Sequence, residues 1–219
     1  MVTYNQIKNN ETIKTYIQKA NEALSVLGYT EHSFAHVTKV AENVKYILST
    51  LSYSQHEIEL AQIAGYIHDI GNIVNRDDHA HSGALIAFRI LDNLDMPPCD
   101  IATVVSAIGN HDEGTGIAVS PVSAALILSD KSDVRRSRVT NKDLTSFDIH
   151  DRVNYSVTRS SLDINEEGDE IRLSLEIDTH YSSVMDYFEI FMGRMMMCRK
   201  AAEFLKLKFT LVINGQTLI

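Results

Sequence analysis

The chain has 219 residues, 44% hydrophobic and 22% charged, enough to bury a core in one domain and too ordinary in balance for intrinsic disorder. Its net charge of -9 argues against a protein that coats nucleic acid or an anionic membrane through bulk charge. The absence of a basic-then-apolar leader in Met1 to Asn10, and of any apolar run of about 18 residues, predicts a cytoplasmic protein with no membrane partner.

Taken in chain order, Ile13, Ile17, Ala20, Leu24 and Leu27 recur at helical spacing behind Asn10, a suitable N-cap, and Gly28 supplies a stop. Phe34, Val37, Val40, Ala41, Val44, Ile47, Leu48 and Leu51 predict a second helix. Ser54 and Glu57 form a capping box ahead of Ile58, Ala61, Ala64 and Ile67, predicting a third that ends near Gly71. Residues 83–94 and 101–108 read as a helical pair separated by Met96-Pro97-Pro98, and 123–134 as another helix. The period changes after about Asn141. Residues 152–164 and 170–177 alternate apolar and polar side chains around Asn165-Glu166-Glu167-Gly168-Asp169, which predicts a hairpin. A long helix follows over 184–205. Its Met192, Met195, Met196 and Met197, beside Phe188 and Phe191, read as packing, in the core or across a homodimer contact through this C-terminal helix. Residues 208–213 are strand-like before Asn214-Gly215, a favoured type I′ pair. The expected fold is mainly α. A helical metal-binding domain occupies 1–140, and a small α+β extension over 141–219, an antiparallel hairpin or sheet with one long helix, packs on it.

Cys99 and Cys198 are far apart and suggest neither a disulfide framework nor a zinc knuckle. Nine histidines against no tryptophan is the compositional oddity, and their placement carries the chemistry. His68-Asp69 falls at a helix end just before Gly71, where the turning backbone lets two adjacent side chains enter one concavity. Imidazole nitrogen with carboxylate oxygen suits manganese, iron, cobalt, nickel or zinc better than magnesium. His36 opens the second helix, His79 and His81 precede the fourth, Asn110-His111-Asp112-Glu113 ends the fifth, and Asp130 lies in the sixth. Such residues at successive helix ends can converge across a bundle. His79 is preferred to His81 for its four-residue step to Gly83, and His32 is a candidate support for His36. His56, His150 and His180 read as surface or capping residues, and Arg135-Arg136-Ser137-Arg138 as a solvated helix end.

This set resembles the HD-domain metal-dependent phosphohydrolases, whose pattern is a histidine, a His-Asp pair and a distal aspartate. The matching residues are His36 in His36-Val37-Thr38-Lys39-Val40, then His68-Asp69-Ile70-Gly71, then Asp130. His79 with Gly83-Ala84, and Asn110-His111-Asp112-Glu113-Gly114-Thr115-Gly116 with Pro121, are similar to the extra elements of the HD-GYP branch and other two-metal members. The matched span runs from about residue 30 to 135. The resemblance implies that His36, His68, Asp69 and Asp130 hold one divalent metal ion, while Asp69 bridges to a second held by His79 and His111. The sequence departs from that branch at Asn110, where a first histidine is usual, at Asn72, where a lysine often follows, and in lacking the Gly-Tyr-Pro tyrosine. One ion or two therefore stays open.

The implied activity is hydrolysis of a phosphoester of a nucleotide or another small phosphorylated metabolite by metal-activated water, with no serine or cysteine nucleophile. Asp69 is the central catalytic residue, and Lys131, or Arg76, offsets charge developing on the phosphoryl oxygens. The alternative, motivated by Asn110 and Asn72, is a metal- and nucleotide-binding sensor or interaction module with weakened turnover.

Overall fold

The computed structural model describes residues 2–218. Thr3 and Gln6 form a capping box that opens a short first helix, α1 (Tyr4–Asn9), which the apolar periodicity does not announce. Asn10 then accepts from the amides of Thr12 and Ile13 and starts α2 (Glu11–Val26), which buries Ile13, Ile17, Ala20 and Leu24 and stops at Gly28, where φ is +82°. α3 (Phe34–Thr50) is capped by Ser33 and α4 (Gln55–Ile67) by the Ser54–Glu57 box. From Leu60 to Ile67 every residue of α4 is buried, so this helix is the central post rather than an amphipathic face. It packs against α3 as well as α6 (Pro98–Gly109) and α7 (Pro121–Lys131).

Between them lie a 3-10 turn at Ile70–Ile73 and α5 (His79–Asn93), which begins earlier than the apolar pattern suggests because Asp78, at φ 57°, turns the chain directly into His79. α7 closes at Lys131, ahead of the expected residue 134.

The C-terminal part differs from the alternating pattern at its start. Residues expected to begin a strand instead belong to α8 (Ile149–Ser156), because Asp148 caps the amide of Asp151 and the turn buries Val153. The first strand, β1 (Val157–Ile164), pairs antiparallel with β2 (Glu170–Ile177) across the anticipated hairpin. α9 (Val184–Phe204) then carries the chain back, so β3 (Lys208–Ile213) lies parallel to β2, as a helical crossover requires. The Asn214-Gly215 turn, with φ of 51° and 79°, adds the short antiparallel β4 (Gln216–Thr217). Ile171, Leu173, Leu175 and Ile177 of β2 and Phe209, Leu211 and Ile213 of β3 are buried, and one hydrophobic cluster runs from the helices into this sheet. α9 packs on α7 and β3. Its Met195 and Met197 are buried, while Met192 and Met196 face outward. Among the described residues no helix is long and apolar enough to cross a membrane.

Candidate metal centre

Helix ends supply every side chain of the site. α4 ends at Ile67, His68 is its C-cap, and Asp69 (φ -91°, ψ 4°) begins the 3-10 turn. This break aims the adjacent imidazole and carboxylate into one space. Asn72, one turn on, donates from Nδ2 to the Asp69 carbonyl at 2.9 Å and to its Oδ1 at 3.1 Å, fixing the carboxylate plane. Gly71 brings the next helix close, since a Cβ there would collide with the carbonyl of His79 and the amide of Gly83. His36 lies in the first turn of α3, His79 opens α5, His111 follows α6, and Asp130 is in the last turn of α7.

These residues converge on Asp69 from two sides. Oδ2 of Asp69 is 3.2 Å from His68 Nε2 and 3.6 Å from His36 Nε2. Asp130 Oδ1 completes that group, 3.4 Å from His36 Nε2 and 3.6 Å from His68 Nε2. On the other side, Oδ1 of Asp69 is 3.5 Å from His79 Nε2 and 3.8 Å from His111 Nε2. The triplets His36–His68–Asp130 and His68–Asp69–His111 are each spaced as ligands of a metal ion.

Each ring is oriented by its other nitrogen. Nδ1–H of His68 donates to the Gly65 carbonyl at 2.9 Å, that of His79 to the Arg76 carbonyl at 3.0 Å, and that of His111 to the Ile108 carbonyl at 2.6 Å. His36 donates from Nδ1 to Oδ2 of Asp133 at 2.8 Å. A carbonyl or carboxylate oxygen can only accept, so Nδ1 carries the hydrogen and Nε2 is left for the centre. The arrangement fits a cation. His111 Nε2 is buried with no hydrogen-bond partner among the described residues, and His36 and His68 set Nε2 against Nε2 at 3.4 Å, which only positive charge between the nitrogens makes favourable.

The same demand appears as proton affinity. Burial disfavours a charged His68, yet Asp69 and Asp130 beside it lift its pKa to about 10. His36 is raised as well, its bonds to Asp130, Asp133 and Asp69 outweighing burial and Arg138. Burial opposes ionisation of Asp69 and Asp130, but the histidines around Asp69, and Lys131 with His36 and His68 around Asp130, hold both carboxyls well below the usual range. His79 goes the other way, pulled by burial to about 4.

All six expected ligands, His36, His68, Asp69, His79, His111 and Asp130, thus lie in one cluster. Lys131 is buried with its Nζ 2.9 Å from Asp130 Oδ2, and Arg76 reaches within 3.5 Å of His79 Nε2. His81 points away, exposed and 3.6 Å from Asp78. Asn110 ties its Nδ2 to the Ser106 carbonyl, capping α6 instead of facing the centre. His56 pairs with Asp100 far from it. The Arg135–Arg138 run, expected as a solvated helix end, turns inward. Arg138 is buried and donates to the carbonyls of Glu31 and Asp133, while Arg135 and Lys39 pair with the Asp133 carboxylate at 2.9 and 3.1 Å. Asp133 is therefore a residue that sequence reasoning missed; its only signal is the three-residue step from Asp130.

A cleft of about 410 Å³ opens on the centre. Its walls include Asp69, His79, Asp130, the cations Arg76, Lys131, Arg138 and Arg194, and from α8 Asp151 and Asn154. Arg194 and Phe191 come from α9; the guanidinium lies 4.2 Å from the Phe191 ring centroid and donates to Glu113 Oε1 at 2.5 Å.

The family model of the HD domain matches residues 33–155. The chain is 25% identical over 201 residues to the uncharacterized protein MJ1020 of Methanocaldococcus jannaschii, covering 80% of this chain and 74% of that one. A crystal structure described as a predicted HD superfamily hydrolase, from an uncultured Thermotogales bacterium, superimposes with a TM-score of 0.45 at 25% identity, over 57% of this chain and 67% of that one.

Proposed function

The chain belongs to the HD-domain family, and from that premise we propose that its histidine–aspartate centre is a metal-dependent hydrolase site acting on a phosphoester of a nucleotide or small phosphorylated metabolite. The observation that carries this reading is Asp69, whose two carboxylate oxygens face separate sets of Nε2 atoms, beside a cleft lined by Arg76, Lys131, Arg138 and Arg194. The donor set, imidazoles with carboxylates, suits manganese, iron, cobalt, nickel or zinc over magnesium. His36, His68, Asp69 and Asp130 would hold one ion; His79, His111 and Asp69 would hold a second. When bound, such ions act as Lewis acids on a phosphoryl oxygen and activate water as the nucleophile.

The chain's own groups do the rest. Asn72 and Asp133 fix the orientation of Asp69 and His36, so the ligands need not reorganise. The cleft cations attract a phosphoryl group and offset charge that builds on its oxygens, with Lys131 held beside Asp130 and Arg76 beside His79. Neither cysteine lines the cleft, and burial pushes the Cys198 thiol up to about 12, which disfavours a covalent thiolate route.

The test is a panel of phosphomonoesters and phosphodiesters, with manganese-, cobalt- and zinc-loaded protein, scored by phosphate and nucleoside release. Turnover lost in Asp69→Ala supports the proposal. No turnover with any loaded form, or an Asp69→Ala variant as active as the parent, sinks it. The Asn72 amide on Asp69 Oδ1 favours a second reading, since it occupies a lone pair on the His79 side: a nucleotide-binding sensor without turnover. Nucleotide binding in the absence of hydrolysis distinguishes it.

A further inference from the structure

We propose that His32 is itself a metal ligand, so that the Oδ2 side of Asp69 is a site of five protein ligands, His32, His36, His68, Asp69 and Asp130, while the Oδ1 side keeps positions open for exchange. The inference rests on the two-ion reading above and adds a residue that the His…His-Asp…Asp pattern does not contain.

His32 lies in the loop before α3, and its surroundings hold it as the other ligands are held. Its backbone amide donates to Asn21 Oδ1 at 2.9 Å, which pins the loop to α2. Its Nδ1–H donates to the Thr30 carbonyl at 2.6 Å, the same carbonyl anchor that fixes His68, His79 and His111. The ring meets His36 edge to face at 5.5 Å between centroids. Nε2 is thereby turned on Asp69 Oδ2 at 3.9 Å, too far for a hydrogen bond. It takes no hydrogen bond from any described residue, and the residue lines the cleft.

The gap has the right size for an ion. Two ligand atoms, each about 2.1 Å from one ion, lie at most ~4.2 Å apart. The 3.9 Å from His32 to Oδ2 is within that limit and matches the 3.5 and 3.8 Å at which His79 and His111 stand off Oδ1. The His32 side chain, 11% exposed, opens on the cleft through which an ion reaches it. Its Nε2 faces a carboxylate oxygen across an ion-sized space.

The consequence is asymmetry: an ion with five protein ligands leaves slowly, and one with His79, His111 and a shared carboxylate exchanges. Metal-stripped full-length protein is titrated with cobalt(II), following visible d–d absorption, with bound metal counted after dialysis. The parent chain is expected to bind in two affinity classes. His32→Ala is expected to weaken the tighter class about tenfold or more and to alter its spectrum, with added imidazole restoring both. His79→Ala should affect the weaker class alone, and His56→Ala neither. A His32→Ala chain whose tight class keeps parental affinity and spectrum overturns the proposal. A parent chain that binds no cobalt overturns the metal reading beneath it. His32→Gln, which keeps the loop's bulk without a ring nitrogen, repeats the test if thermal unfolding shows the alanine variant to be misfolded.

Discussion

Asp133 stands directly behind His36, its Oδ2 accepting from Nδ1 at 2.8 Å, so the imidazole that faces the centre on one edge is anchored to a buried carboxylate on the other. Lys39, Arg135 and Arg138 surround that carboxylate. Burial opposes its ionisation, but the His36 bond and the nearby cations hold its pKa far below the carboxylate range. The ring orientation of His36 and the basicity of its Nε2 both follow from Asp133.

Replacing that anchor should therefore be felt at the metal. Asp133→Asn is expected to weaken ion binding by about 10- to 100-fold, the usual cost of losing a carboxylate behind a ligand histidine. It should also destabilise the fold by about 3 kcal/mol or more, because Lys39, Arg135 and Arg138 lose their buried counter-charge. Isothermal titration with zinc and urea unfolding of the metal-free chain read the two effects separately. Unchanged affinity would show that His36 is held by packing alone.

Metal binding should expel a proton near neutral pH. His68, with a pKa of about 10 in the folded chain against 6.5 ordinarily, is protonated at pH 7, and a ligand nitrogen must give up that proton. His79, at about 4, is already neutral and releases none. Affinity for zinc is thus expected to rise with pH until about 10, and binding enthalpies at pH 7 should differ between Tris and PIPES by the heat of protonating the buffer. Equal enthalpies in the two buffers would contradict it. For the metal-free fold the sign is opposite: the raised pKa means that stability from charged His68 is fully present below 6.5 and is lost as pH climbs through about 10.

Gly71→Ala tests how the second set of ligands is positioned. The new Cβ would meet the His79 carbonyl and the Gly83 amide, so α5 must move away from the turn that carries Asp69. Overpacking of this kind costs about 1–3 kcal/mol. The expected result is a lowered melting temperature together with loss of one metal equivalent, the one held through His79. A variant that melts lower yet keeps full metal stoichiometry would show that α5 moves without carrying His79 off.

How much of this was legible in the sequence depends on what each residue's role leaves behind in spacing. The six clustered residues could be found because histidine and aspartate at helix ends are rare and their pattern resembles a known one. Asp133 and Arg138 could not. The short basic run past the helix reads as solvent-facing and Asp133 carries no pattern of its own, so only the fold reveals that the two neutralise one another in the interior. α1 was hidden because six residues with one buried side chain, Ile7, give no period. The second half of α8, from Arg152, was misread because Val153 and Val157, four apart, fit a strand face as well as a helix face. His32 was visible as a neighbour of His36, but the direction of its ring depends on the Thr30 carbonyl, which no side-chain pattern encodes.

The parallel pairing of β3 with β2 also has a consequence for the order in which the molecule is made. The last of the six expected ligands, Asp130, leaves the ribosome well before Phe191 and Arg194, and α9 is clamped only when β3, later still, slots beside β2. During synthesis all six clustered residues are therefore made while one wall of the cleft is still missing. Under the proposed function, the residues that would hold metal are synthesised before those that would discriminate among substrates.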